Sequence, residues 1–173
     1  MNKCLTALEN PKLLAAAVAL ASVAALSAAY ISQYGFGLDP CALCFYQRKP
    51  YFINILLGLV AFALAPKREK TAKAVLWLAV LSFLAGSAIA AFHVGVEQHW
   101  WKGLESCSNY ALPEKASPEE LKKFITSRDI ASCEVPAFVL FGVSMAGYNF
   151  LLSTALAVLT AYFLLRKKNA AQN

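Results

Sequence analysis

The sequence lacks the motifs of several common redox cofactors. Its 173 residues contain no glycine-rich fingerprint for a flavin or another nucleotide. A c-type haem needs a histidine directly after the second cysteine of a Cys-x-x-Cys pair, and Phe45 occupies that position. Zinc sites usually combine two such pairs, or one pair with histidines at matching spacing. The chain has a single Cys-x-x-Cys pair, so we expect no metal.

Charged residues are also scarce, at 15% of the chain, whereas 59% of the residues are hydrophobic. With a mean hydropathy of +0.53, the chain is too apolar for an ordinary soluble domain and is typical of a membrane protein. The formal net charge is +6, but the basic residues lie at the ends of apolar runs. We therefore expect lipid contact and no nucleic-acid partner.

Four apolar segments predict an all-α integral membrane protein, a four-helix transmembrane bundle in one domain over residues 1–173. The expected spans are about 13–31, 45–65, 74–96 and 137–165. The first segment is longer than the apolar region of a signal peptide, which favours an uncleaved span. The second must begin before Pro50, because residues 51–65 alone are too short to cross a bilayer. Pro136 is expected to open the last span.

The hydrophilic loops are expected at about 32–44 and 97–136. The two termini and the short loop at 66–73 carry nine Lys or Arg residues, against seven in the rest of the chain. The positive-inside rule then places both termini in the cytoplasm and both hydrophilic loops on the periplasmic face. The second loop contains a helix-capping pattern at Ser117-Pro118-Glu119-Glu120, which predicts a short amphipathic helix on the membrane surface.

The Cys-x-x-Cys pair consists of Cys41 and Cys44. Cys41 lies seven residues before Arg48, and Cys44 lies four residues before it. Asp39 and Pro40 predict a helix start, with Asp39 as the cap and Pro40 in the first helical position. The positive end of the helix dipole and the guanidinium would both favour a thiolate. This spacing also fits a structural disulfide or half of a metal site, so it does not by itself decide the function.

Five cysteines leave one unpaired, and Cys4 precedes the first apolar run. The other four, which include Cys107 and Cys133, lie in segments on the predicted oxidising face, where disulfides persist. They fit either structural bridges or a dithiol relay. An oxidising relay needs an electron sink, and a quinone dissolved in the membrane is the simplest one. His93 and His99 lie near the outer end of the third span, and either could hydrogen-bond a quinone carbonyl.

The chain resembles the disulfide bond formation protein B (DsbB) family over nearly its full length. The shared features are four spans, the string Cys-x-x-Cys-x-x-x-Arg in the first outer loop, and a second outer cysteine pair. A further stretch runs from Cys133 through Glu-Val-Pro-Ala-Phe-Val-Leu-Phe-Gly-Val-Ser to Met145. The resemblance implies a thiol:quinone oxidoreductase of the bacterial inner membrane that reoxidises a periplasmic DsbA-like thioredoxin-fold protein.

The resemblance also implies a role for each matching residue. Cys107 and Cys133 form the disulfide that oxidises the partner, and Cys107 is the residue attacked. Cys133 passes electrons to Cys41 and Cys44. Cys44 forms an adduct with ubiquinone or menaquinone, and Arg48 stabilises its charge. The quinone-proximal histidine corresponds to His93 or His99.

Three alternatives remain, and the third is a metal-binding membrane protein. A four-helix quinone reductase of the vitamin K epoxide reductase type shares this logic, but its quinone-facing Cys-x-x-Cys is expected late in the chain rather than early. A non-enzymatic four-span scaffold with two structural disulfides would have the same cysteine content.

Overall fold

The computed structural model describes residues 8–104, 107, 119 and 132–166. These residues form four long helices and one short hairpin. The helices are α1 (Pro11–Tyr30), α2 (Ala42–Leu64), α3 (Glu69–Glu97) and α4 (Met145–Leu165). The chain continues α1 through a π-helical turn at Ile31–Gly35. Strands β1 (Val139–Leu140) and β2 (Val143–Ser144) pair antiparallel immediately before α4.

The helices pack in sequence order, with α1 against α2, α2 against α3, and α3 against α4. Small residues allow the close approaches: a Cβ on Gly58 would lie 2.9 Å from the Ala15 carbonyl oxygen of α1. Large aliphatic and aromatic side chains cover the outside of the bundle, for example Leu20, Leu56 and Val158. This arrangement, with apolar side chains facing outward, suits a lipid environment rather than water.

Three helices in the described part of the chain are long and apolar enough to cross a membrane: α1 with its π-helical extension, α3 and α4. Helix α2 is 23 residues long, but Gln47, Arg48 and Lys49 make its N-terminal third polar. Pro50 lies inside α2, as predicted, and its carbonyl oxygen accepts a hydrogen bond from the Ser82 hydroxyl of α3 at 3.2 Å.

The predicted start of the last helix is wrong. Residues 137–165 do not form one span, because the hairpin occupies residues 139–144 and α4 begins at Met145. The hairpin turns at Phe141 and Gly142, whose φ angles of 50° and 77° fit a two-residue turn of the primed type. Ser144 then caps α4 by accepting a hydrogen bond from the Gly147 N–H at 3.1 Å.

The predicted cap of α2 is also wrong. Cys41 is the N-cap residue and Pro40 precedes the helix, so neither Asp39 nor Pro40 takes the position expected for it. The cysteine sulfur performs the capping function that the Asp39 carboxylate was expected to perform. The predicted surface helix of the second loop and Cys4 lie outside the described residues.

Candidate functional site

The Cys-x-x-Cys pair lies at the N-terminus of α2. The Cys41 sulfur accepts a hydrogen bond from the Cys44 N–H at 3.3 Å and donates one to the Cys44 sulfur at 2.9 Å. Cys41 is buried, with 4% of its surface exposed, whereas Cys44 is partly exposed. The two thiols therefore differ in access although they share one helical turn.

The hydrogen bond between the two sulfurs also separates their acidities. Both thiols precede the apolar segment that begins near Phe45. Donation to Cys44, together with burial, raises the pKa of the Cys41 thiol. Acceptance of that bond lowers the pKa of Cys44, and the Arg48 guanidinium lowers it further. As the pH rises, Cys44 therefore loses its proton before Cys41, and its thiolate forms beside the positively charged Arg48.

The second cysteine pair lies beside the first. Cys107 and Cys133 form a disulfide, with the two Cα atoms 5.3 Å apart. Both are buried in one cluster with Cys41, Leu43 and Val96, and Cys44 packs against this cluster. Two pairs that are distant in sequence therefore share one buried site, a placement that favours exchange between them over two independent structural bridges.

A cavity of about 230 Å³ opens next to Cys44. Its walls come from α1, α2, α4 and the segment before α2, and most of them are apolar. Arg48 lies on this wall, where its guanidinium donates to the Gln33 side-chain oxygen at 2.7 Å and lies 4.8 Å from the Tyr30 ring centroid. A flat, uncharged ring fits apolar walls of this kind, and Arg48 could face a negative charge that develops on it.

The two histidines have different surroundings. His93 is buried on α3, with its Nε2 atom 3.5 Å from the Cys41 sulfur and its Nδ1 atom 2.7 Å from the Gln47 amide nitrogen. His99 is exposed beyond the end of α3 and has a φ angle of 58°. Neither histidine is among the residues that line the cavity, and the quinone contact expected of His93 or His99 stays a prediction. His93 instead contacts Cys41, which links it to the sulfur chemistry.

The Cys133 backbone carbonyl accepts a hydrogen bond from the His93 ring, and a buried carboxylate lies beside it. Glu97 lies one helical turn further along α3, and its Oε1 atom is 3.8 Å from His93 Nε2. Its other oxygen accepts a hydrogen bond from the Ser144 hydroxyl at the start of α4. The i, i+4 spacing of His93 and Glu97 predicts their proximity, but nothing in the sequence links Ser144 to this group.

Tyr51 is a site residue that the sequence motifs do not reveal. Its hydroxyl donates to the Asn149 side-chain oxygen at 2.5 Å and lies 2.9 Å from the Ser153 hydroxyl. Tyr51 also lines the cavity, as do Gln47 and Asn149. The available signal is periodicity, because Gln47 and Tyr51 are four residues apart and share the helix face of Cys44.

The site also groups ligand types that metals use. One ligand atom each from Cys41, Cys44 and His93 lies within 4.8 Å of the others. Histidine spacing along the chain indicates no such group, because His93 is far from the Cys-x-x-Cys pair in sequence. The helix packing that joins α2 and α3 brings the three side chains together.

Comparisons with known proteins find related sequences along most of the chain. The sequence profile of the family described as disulfide bond formation protein DsbB matches residues 11–163. Disulfide bond formation protein B of Haemophilus influenzae (strain 86-028NP) is 31% identical over 130 residues, covering 74% of this chain and 71% of that protein. Its counterpart in Burkholderia pseudomallei is 30% identical over 171 residues, or 97% of this chain and 98% of that protein.

An uncharacterised protein of Rickettsia prowazekii is also similar, with 32% identity over 149 residues, or 86% of this chain and 84% of that protein. No solved structure matches the chain significantly.

Proposed function

The chain belongs to the disulfide bond formation protein B family, and from this premise we propose that it is a thiol:quinone oxidoreductase of the bacterial inner membrane. In this proposal it reoxidises a periplasmic DsbA-like thioredoxin-fold protein and passes the electrons to ubiquinone or menaquinone. The observation that carries the proposal is the shared burial of both cysteine pairs beside a largely apolar cavity.

The first exchange takes place at the second pair. A thiolate of the partner attacks Cys107, the Cys107–Cys133 bond breaks, and Cys133 leaves as a thiolate. The second partner thiolate then attacks the partner sulfur of the mixed disulfide and releases Cys107. The partner loses two electrons and two protons, and the Cys107–Cys133 pair becomes a dithiol.

The second exchange returns those electrons to the first pair. The Cys133 thiolate attacks Cys41 of a Cys41–Cys44 disulfide, and Cys44 leaves as a thiolate. Cys107 next attacks Cys133, so that the Cys107–Cys133 bond re-forms and Cys41 leaves. The outcome is the arrangement seen in the structure, with the second pair oxidised and Cys41 and Cys44 as free thiols.

The cavity residues would hold the quinone, which supplies a two-electron acceptor when bound. Cys44 and Arg48 lie on the cavity wall, and the lowered pKa of Cys44 favours the reactive thiolate form of its sulfur. Re-forming the Cys41–Cys44 disulfide removes two electrons and two protons from the pair. His93, beside Cys41, is our candidate for stabilising charge on that buried sulfur.

The membrane arrangement is part of the proposal. At a rise of 1.5 Å per residue, α2 is about 34 Å long, enough to form the fourth span once its polar N-terminal third lies at the membrane boundary. The excess of Lys and Arg near the termini and the 66–73 loop supports cytoplasmic termini. The cysteine site then faces the periplasm.

Partner-dependent quinone reduction by purified protein tests the proposal. The reaction contains a reduced DsbA-like protein and a water-soluble analogue of ubiquinone or menaquinone, and quinone absorbance reports turnover. We expect turnover by the native chain and none by Cys44→Ser. Cys4→Ser is the matched control and should retain turnover. No turnover by the native chain with either quinone class would contradict the proposal.

The scaffold alternative makes a different prediction. A scaffold with structural bridges should keep both disulfides in a glutathione buffer of periplasmic poise, whereas relay cysteines should exchange. Mass mapping of alkylated cysteines separates the two outcomes.

A second candidate function is cation binding by the reduced protein, favoured by the grouping of Cys41, Cys44 and His93 within 4.8 Å. Zinc prefers thiolate and imidazole ligands of this kind. Stoichiometric zinc in protein purified under reducing conditions, lost on His93→Ala, would support this function. Exposed His99 provides the matched control, because His99→Ala leaves the three ligands intact.

A further inference from the structure

A continuous chain of hydrogen bonds runs through the bundle from α4 and α2 to the Cys41 sulfur. The Tyr51 hydroxyl donates to Asn149 Oδ1 at 2.5 Å, and Asn149 Nδ2 donates to Gln47 Oε1 at 2.5 Å. Gln47 Nε2 lies 2.7 Å from His93 Nδ1, and His93 Nε2 lies 3.5 Å from the Cys41 sulfur. Five side chains from three helices are thus connected in a single line.

The orientations of the Asn149 and Gln47 amides give this chain a direction. An amide oxygen only accepts and an amide nitrogen only donates. The hydrogen bond at one end of an amide therefore determines whether its other end donates or accepts. Because Asn149 accepts from Tyr51 at its oxygen, its nitrogen faces Gln47. The Gln47 oxygen is then occupied, and the Gln47 nitrogen donates to His93 Nδ1. A neutral histidine that accepts at Nδ1 carries its proton on Nε2.

The proton on Nε2 faces the Cys41 sulfur at 3.5 Å, and Glu97 Oε1 lies 3.8 Å from the same nitrogen. The Cys133 backbone carbonyl also accepts a hydrogen bond from the His93 ring. The sulfur is buried, so His93 replaces the water that would otherwise solvate a thiolate there. The opposite tautomer would direct a lone pair at the sulfur and could not stabilise its negative charge.

We propose that Gln47 is a positioning residue that fixes the Nε2–H tautomer of His93, so that His93 donates a hydrogen bond to the Cys41 thiolate. Asn149 and Tyr51 hold Gln47 in the required orientation. The inference rests on the proposed function for its catalytic meaning. It acts when the Cys107 thiolate attacks Cys133 of a Cys41–Cys133 bridge: the Cys107–Cys133 bond forms, the Cys41–Cys133 bond breaks, and Cys41 leaves as the thiolate that His93 stabilises.

The tautomer can be measured directly by nitrogen NMR of the reduced, full-length protein, labelled with ¹⁵N-histidine and placed in lipid nanodiscs. The chain has two histidines, so His99→Gln assigns the signals of His93. The shifts of protonated and unprotonated ring nitrogens differ widely. We expect a protonated Nε2 and an unprotonated Nδ1 in the native protein. A protonated Nδ1 with a bare Nε2 would overturn the proposal.

Two variants test whether Gln47 fixes the tautomer of His93. Gln47→Glu replaces the donating nitrogen with an acceptor, so the proton should move to Nδ1 or both nitrogens should become protonated. Gln33→Glu is the matched control: it introduces the same charge beside Arg48, away from His93, and should leave the native tautomer. An unchanged tautomer in Gln47→Glu would refute the role assigned to Gln47.

Asn149→Asp provides a second test that does not alter a neighbour of His93. A carboxylate cannot donate to Gln47 Oε1, so the Gln47 amide should rotate and present its oxygen to Nδ1. The expected shift is again protonation of Nδ1, and retention of the native tautomer would refute the directional chain. Because these spectra require no turnover, an inactive protein with the predicted tautomer would contradict the proposed function alone. Turnover with the wrong tautomer would contradict only this inference.

Discussion

At the residue scale, the two sulfurs of the Cys-x-x-Cys pair differ in acidity because one donates a hydrogen bond to the other. Donation stabilises the protonated form of Cys41, and acceptance stabilises the thiolate of Cys44. Arg48 adds its positive charge on the side of Cys44. The more acidic, partly exposed thiol and the more protonated, buried thiol therefore occupy different positions of one turn.

The pH dependence of Cys44 alkylation tests this difference. Since the pKa of Cys44 is lowered, its thiolate persists below the ordinary thiol value of about 8.5, and the midpoint of the rate profile should lie below that pH. Cys41→Ala removes the donor and should move the midpoint to higher pH. Cys41→Ser keeps a hydroxyl donor and should move it less. Equal midpoints in all three proteins would contradict the assignment.

Arg48 offers a second test at this scale. We expect Arg48→Ala to weaken the apparent quinone affinity about tenfold or more, because a hydrogen bond to a charged group contributes roughly 1.5–3 kcal/mol. The KM for the reduced partner protein should change little, since the cavity and the second disulfide are separate parts of the site. Adjacent Lys49 is exposed, and Lys49→Ala is the control. An unchanged quinone KM in Arg48→Ala would exclude the proposed quinone position.

At the scale of elements, the contact of α1 with α2 determines where the cavity walls stand. Both helices line the cavity, and they approach closely at Gly58, around which Ala15 and Ala19 of α1 leave no room for a side chain. Lipid tails give helices no hydrophobic drive to associate, so such contacts between small residues carry much of the packing energy.

Gly58→Ala should therefore destabilise the bundle. The new methyl group would lie 2.9 Å from the Ala15 carbonyl oxygen and 3.0 Å from the Ala19 nitrogen, which are backbone atoms that cannot rotate away. We expect a loss of about 1–3 kcal/mol, seen as a lower Tm in detergent. Gly35→Ala, whose methyl group would meet Ile31 at an ordinary 3.6 Å, should have little effect. A Tm at or above that of the native protein would contradict this packing argument.

At the scale of the whole molecule, the reactive groups concentrate at one end of the bundle. The cavity, both cysteine pairs and His93 lie there, while the opposite end is tied by an ion pair between Arg166 and Glu9 at 3.0 Å. Electrons from a protein partner would thus enter at the second cysteine pair and leave at the cavity beside Cys44, two neighbouring parts of the same end.

This separation predicts that the two half-reactions can be uncoupled. Cys107→Ser should abolish quinone reduction driven by the reduced partner protein, because the partner has lost its point of attack. A small dithiol such as dithiothreitol should still drive quinone reduction through Cys44, which is partly exposed. Quinone absorbance with each reductant measures both rates. Loss of both activities in Cys107→Ser would contradict separate access to the two pairs.

The sequence alone determined the helical membrane class, the apolar segments and the family resemblance. The structure confirmed the long helices, and the comparisons confirmed the family. Each depends on local composition or on a short string such as Cys41 to Arg48, so no distant contact is needed to read it. The sequence could not place the start of α4, because residues 137–144 are as apolar as a membrane-spanning helix. Only the turn at Phe141 and Gly142 distinguishes this segment from the helix that follows. The four-span count and the roles of the site residues stay predictions.

Only the tertiary structure decided which polar groups meet. His93 and Gln47 are 46 positions apart, and Tyr51 lies 98 positions from Asn149. Helical periodicity indicates which face each residue occupies, but the rotation and neighbour of each helix follow from packing among many side chains. That packing placed a histidine against Cys41, brought the second disulfide to the same cluster, and left both histidines off the cavity wall.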